Sequence, residues 1–204
     1  MKTAPRWKMT WRQRELRLVA RLFCLLLVLV ASTGAETRRP VPLEISAAIF
    51  QKVHTYDALV QRDPGSEIAA AIVYRNAGDK QNAVFVAEVL DRLSRTSRAH
   101  PWRVEVIRFD EHFDAAMTEG EFTSLFLLSD PTFPKADLEA IRKLSEERRV
   151  LTMTDDPKLV REVCIFSVDL ENSHPKIWIH LDRARRSGRD FESAFLQLCR
   201  QVDR

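Results

Sequence analysis

The stretch "EIAAAIVYRNAGDKQNAVFVAEVLDRLSRTS", residues 67–97, decides the fold. Residues 67–74 form a near-continuous apolar run closed by the turn Asn76-Ala-Gly-Asp79, the pattern of a strand covered on both faces. From Lys80 the apolar period lengthens to that of a helix, with Val84, Ala87, Val89, Leu90 and Leu93 expected inward. A buried strand followed at once by an amphipathic helix is half of a βαβ unit.

The same alternation continues downstream. "RVEVIRF" (103–109) reads as a strand, "EHFDAAMTEG" (111–120) as a short helix and "FTSLFLL" (122–128) as a second buried strand. "PKADLEAIRKLSEERR" carries Leu138, Ile141 and Leu144 on one helical stripe, and its Glu139/Lys143 and Arg142/Glu146 pairs mark a solvated outer face. "VLTMT" (150–154) is a further strand. Strands alternating with helices over 67–154 imply parallel strands linked by right-handed crossovers. The pattern then changes: "VCIFSVDLE" (163–171) and "KIWIHLD" (176–182) are joined only by "NSHP" and should pair as an antiparallel hairpin. One helix is expected over 44–61 and another over 190–202, the latter with Phe191, Phe195, Leu198, Cys199 and Val202 on its inner stripe. The expected fold is α/β, a mixed sheet of about six strands, mostly parallel with a C-terminal antiparallel hairpin, flanked by helices.

Residues 1–35 read as a signal peptide. Seven bases and one acid lead into the apolar run Leu22–Val30, and the small residues Ala31-Ser-Thr-Gly-Ala35 place cleavage after Ala35. Nine apolar residues are short of the ~20 that a spanning helix needs. Residues 36–42, with two prolines, form an extended leader, and 43–204 form a single domain. The whole chain is +3; taking the leader's seven bases and one acid from the totals of 32 and 29 leaves 25 and 28, net −3. The apparent basicity therefore belongs to the leader and predicts no nucleic-acid partner. The leader predicts export to an oxidising compartment. There an even pair of cysteines, Cys164 and Cys199, invites a disulfide, while their apolar faces equally suit free buried thiols.

Acids at strand ends are the first chemical candidates. Asn76, Asp110, Asp130 and Asp155 all follow strands and would line a crevice over the carboxyl ends of a parallel sheet, where a small solute could bind. Asp156, directly before Pro157, has the grammar of a helix cap. The five histidines show no i, i+4 pair and no metal-ligand spacing, and there is no G-x-S-x-G, phosphate loop or dinucleotide fingerprint. No catalytic residue, metal or cofactor is expected. "RARRSGR" (183–189) reads as an exposed helix turn ended by Gly188, and Trp178 with Arg185 are the expected exposed partner contacts.

The C-terminal half resembles a known family. Leu151, Thr152, Thr154 and Asp155, then Ile177, Ile179 and Leu181, then Ala184, Arg185, Arg186 and Gly188, and finally Ser193, Leu196 and Leu198 follow the strand, hairpin, arginine-glycine turn and last helix of the YfiR-like secreted bacterial proteins. The resemblance implies a periplasmic, non-enzymatic regulator that represses a membrane-bound diguanylate cyclase through its periplasmic sensor domain, and so acts in cyclic-di-GMP signalling. A homodimer is among the expected states. The alternative is a periplasmic small-solute-binding module.

Overall fold

The computed structural model describes residues 41–96 and 100–202. The leader expected over 1–35 and the start of the extended segment 36–42 lie outside the described residues. The chain is an α/β fold built on a seven-stranded mixed sheet, mostly parallel, with helices on both faces and the antiparallel hairpin near its C-terminal end.

The first helix, α1 (Leu43–His54), buries Ala47, Phe50 and Val53, and Ser46 and His54 with them. It stops earlier than its periodicity predicts. Thr55 to Asp57 turn the chain, and a separate short helix, α2 (Ala58–Arg62), begins with Asp57 accepting the Leu59 N–H at 3.0 Å. The break is long-range in origin: the Asp57 carboxylate is buried against Arg189 at 2.7 Å, and the Ala58 N–H donates to the Asp190 carbonyl at 2.8 Å.

Strand β1 (Ile68–Tyr74) is buried at every residue, as its unbroken apolar run requires. A 3-10 turn over Ala77–Asp79 leads into α3 (Lys80–Ser94), whose buried stripe is Ala83, Val86, Val89 and Leu90. The stripe is rotated from the expected one, leaving Val84 and Phe85 exposed. Then follow β2 (Trp102–Arg108), α4 (Phe113–Glu119), β3 (Ser124–Leu127), α5 (Lys135–Glu147), β4 (Leu151–Thr154) and α6 (Pro157–Glu162). Strands β5 (Phe166–Glu171) and β6 (His174–Ile179) form the expected hairpin, pairing Phe166 with Ile179 and Glu171 with His174. Helix α7 (Leu181–Arg186) follows, capped by His180 rather than preceded by a strand residue on the sheet surface, and Gly188 at φ +64° ends it.

The expected C-terminal helix is not formed as one element. Its residues divide into a single turn, α8 (Ser193–Leu196), and a seventh strand, β7 (Cys199–Gln201), parallel to β6. The 3.6-residue spacing of Phe191 and Phe195 is real, since both are buried against Phe166. Beyond them, unpaired backbone on β6 offers ladder hydrogen bonds, and the Val202 N–H donates to Ile179 O at 2.8 Å.

The sheet order is β2-β1-β3-β4-β5-β6-β7. One face carries α1, α3 and α8 over Phe50, Ile72, Phe126, Met153 and Phe166. The other carries α4, α5 and α6 over Val73, Leu125, Leu127 and Ile141. Cys164 packs on this second face and Cys199 against the first. Of the two readings left open for Cys164 and Cys199, the structure has the free thiols and not the disulfide: they lie on opposite sides of the sheet, and burial pushes the pKa of each up to about 12.

Two polar details set measurable stabilities. Asp156 caps α6 by accepting the Lys158 N–H at 2.9 Å, with Pro157 at the first helical position. Asp156→Ala should cost about 1 kcal/mol in urea unfolding, the value of a helix cap; an unchanged midpoint would count against capping.

His54 is fully buried between the Phe50 carbonyl (2.7 Å) and the Ser124 hydroxyl (2.6 Å), and burial pushes its pKa down to about 3 from 6.5. The folded chain refuses a proton that the unfolded chain accepts below pH 6.5. His54 thus contributes fully above that pH, and its contribution is lost as pH falls toward 3, with a slope of about 1.4 kcal/mol per pH unit. Unfolding free energies measured across this window should fall less steeply in His54→Gln than in the wild type. Parallel curves would refute the assignment.

Candidate functional site: a crevice at the sheet reversal

Strand order runs one way from β1 to β2 and the other way from β1 through β3 to β4. The helix after β1, α3, covers one face, and the helix after β3, α5, covers the other. The two loops therefore leave the sheet toward opposite faces, and the carboxyl ends of β1 and β3 are the position at which open α/β sheets form a ligand crevice. Short polar side chains meet there.

Asn76, two residues beyond β1, donates from Nδ2 to Asp130 Oδ2 and, at 3.2 Å, to Thr132 Oγ1. Asp130, only 7% exposed, is fixed by its own loop: its Oδ1 accepts from the Thr132 N–H and from the Thr132 hydroxyl, each at 2.7 Å. A second clasp spans the same reversal, where Arg75 pairs with Asp137 on α5 and its guanidinium lies 5.4 Å from the centre of the Phe133 ring.

Asp155, at the end of β4, is joined to this group through Ser129. It accepts the Ser129 N–H at 2.7 Å and the Ser129 hydroxyl at 3.1 Å. Burial raises its pKa, and these bonds oppose that shift only in part. Of the four expected crevice residues, Asn76 and Asp130 are thus hydrogen-bonded across β1 and β3, and Asp155 is tied to Ser129, the chain neighbour of Asp130. Asp110 is not among them: it accepts the His112 N–H at 3.0 Å and lines a separate, open cleft of about 600 Å³ beside β2.

Arg75, Ser129, Thr132 and Asp137 belong to the site although the sequence reading does not single them out. Their signal is positional, since Arg75 and Ser129 lie just beyond buried strands. Among the described residues no cluster of three or more His, Cys, Asp or Glu side chains could hold a metal ion. Of the expected partner contacts, Arg185 is exposed, 3.8 Å from Asp182. Trp178 is half-buried on β6, with Arg200 5.6 Å over its ring.

A smaller cavity of about 190 Å³ lies at the opposite, amino end of β1 and β2, bounded by Gln51, His54, Ile68, His100 and Trp102. Arg183 and Arg189, read from the sequence as parts of an exposed turn, are both buried. They donate to backbone carbonyls and, for Arg189, to Asp57, so they are structural.

No family model and no curated protein matches the sequence. The solved structures it resembles share its fold at low identity. One is the ligand-free, open form of a substrate-binding protein with adhesive properties from Clostridium difficile (TM-score 0.57, 8% identity, 78% of this chain and 60% of that one). Another is an ABC domain in complex with L-Trp from Streptococcus pneumoniae (TM-score 0.55, 9% identity, 79% and 60%). A third is a conserved domain protein from Vibrio cholerae (TM-score 0.55, 14% identity, 79% and 60%). The chain spans about 60% of the length of each.

Proposed function

We propose that the protein is a periplasmic binding module that takes a small polar solute in the crevice between the β1 and β3 loops and works without catalysis. The observation that carries this reading is the meeting of Asn76, Asp130 and Thr132 at the point where strand order reverses, the place where open α/β sheets hold ligands. The fold shared with a substrate-binding protein and with a domain that holds an amino acid supports it. The leader-like N-terminus supports the compartment.

The lining suggests the ligand class. Asp137 pairs with the Arg75 cation, Asp130 with the Asn76 and Thr132 donors and Asp155 with Ser129, a mixed set of groups that suits a solute bearing both an ammonium and a carboxylate or several hydroxyls. Entry would exchange the Asn76–Asp130 bond for bonds to the ligand.

A thermal-shift screen of amino acids, polyamines and small sugars, followed by calorimetry, tests this. Asn76→Ala should weaken the best binder by about tenfold or more, the worth of one well-placed polar contact, while circular dichroism shows the fold retained. A wild type that no solute stabilises, or a variant that binds as tightly as the wild type, would sink the reading.

The regulatory role, repression of a membrane diguanylate cyclase, is supported by the YfiR-like resemblance over roughly residues 122–204. Co-purification with a membrane protein carrying a periplasmic sensor domain tests that role, and its absence from crosslinked membranes would leave only the solute-binding reading.

A further inference from the structure

We propose that two copies of this chain pair antiparallel along their β2 strands, about a twofold axis at Val104, to make one sheet continuous across the dimer. Strand β2 ends the sheet and pairs with β1 alone among the described residues. Its register with β1 is unbroken from Trp102 to Arg108, with no proline, glycine or bulge to blunt the edge.

The Ile68 N–H donates to the Pro101 carbonyl, and the Phe109 N–H donates to the Tyr74 carbonyl. Odd-numbered residues of β2 therefore direct their backbone groups at β1. Trp102, Val104, Val106 and Arg108 direct theirs outward, where a strand can add. Among the described residues the opposite end of the sheet offers only the three residues of β7.

Charge selects the partner and the register. A symmetric antiparallel pair keeps side chains on their own faces, so the axis passes through a residue. Centred on Arg103 it opposes two arginines, and centred on Glu105 it opposes two glutamates; both are unfavourable. Centred on Val104 it sets Arg103 opposite Glu105 of the second copy, twice, on one face. On the other face it sets Val104 opposite Val104 and Trp102 opposite Val106.

Arg103 and Glu105 are already close within one chain, at 2.5 Å, with Glu67 3.0 Å from Arg103, and they line the open cleft beside the edge. Two such edges meeting in this register interleave their cations and anions.

Sedimentation velocity of the full chain over a concentration series tests the proposal. The wild type should show a concentration-dependent dimer. Arg103→Glu and Glu105→Arg should each weaken it by about tenfold or more through like charges brought opposite, and the combined exchange should restore it. Because the single changes also disturb the Arg103–Glu105 contact within the chain, Val104→Pro serves as the independent variant. Its lost N–H faces away from β1, so the monomer should stay folded by circular dichroism while the dimer is lost. A monomer at every concentration would overturn the proposal, as would a dimer indifferent to Val104→Pro or a combined exchange that fails to restore pairing.

Discussion

Arg189→Ala should lower the unfolding free energy by about 3–5 kcal/mol, the cost of stranding a buried charge, and the melting temperature by roughly 6–20 °C in a domain of this size. The Arg189 and Asp57 side chains are 5% and 0% exposed and lie 2.7 Å apart. The guanidinium also donates to the Thr123 carbonyl at 2.7 Å and, from Nε, to the Arg149 carbonyl at 3.1 Å. One side chain therefore gathers the α1–α2 corner, the entry to β3 and the entry to β4. Its removal leaves the Asp57 carboxylate uncompensated and the Arg149 carbonyl without its donor, while the Thr123 carbonyl keeps only the Leu151 N–H.

Replacing both partners, Asp57→Asn with Arg189→Met, removes the stranded charge and keeps the α2 cap, and it should recover part of the loss. A calorimetric melt of Arg189→Ala within about 2 °C of the wild type, a shift below 1 kcal/mol, would show that the pair is not doing what its burial implies.

The second large effect is expected at Arg183. This guanidinium is buried with no carboxylate among its hydrogen-bond acceptors: it donates to the carbonyls of Val160, Cys164 (2.7 Å) and Arg161 (3.2 Å), and burial lowers its pKa. The acceptors lie on and just beyond the last turn of α6, where helix carbonyls have no partner of their own. Arg183→Ala should cost about 3 kcal/mol through unpaired carbonyls and a cavity where the side chain lay. Arg183→Lys should recover little, because three carbonyls need the planar fork and an ammonium on a narrower stem cannot reach all of them. Equal urea midpoints for the lysine variant and the wild type would contradict the fork geometry.

The sheet was legible because its strands are buried on both faces. "IAAAIVY", "SLFL" and "LTMT" admit no polar alternation, and such runs between helices leave a parallel sheet as the natural arrangement. The β5–β6 hairpin was legible from its short turn, where Asn172 and Ser173 both take positive φ. Capping was legible at Asp156, since the acceptor, the proline and the helix are adjacent in sequence.

What escaped depends on partners distant along the chain. Thr55 to Asp57 have no local reason to break a helix, for Arg189 lies 132 residues away. Phe191 and Phe195 have helical spacing, and only the free edge of β6 turns the following residues into β7. Arg183 and Arg189 share a charge run with the exposed Arg185 and Arg186, and the carbonyl acceptors that distinguish them are invisible in composition. In the crevice Asn76, Asp130 and Asp155 were visible from their places at strand ends, whereas Ser129 as the donor to Asp155 and the Arg75–Asp137 pair were not. The divergence of the Asp110 loop follows from α4 packing on the face opposite α3.

The Asp57–Arg189 clasp also sets a clock. A ribosome delivers Asp57 more than a hundred residues before its cation, and closing so long a loop has to wait for almost the whole chain. Until then the corner after α1 carries a carboxylate that cannot be buried, and Tyr56 lacks the Phe195 ring that stacks on it at 4.8 Å. Every chain terminated before residue 189 lacks this clasp, and such unfinished products are less stable and more open to proteolysis than the finished one.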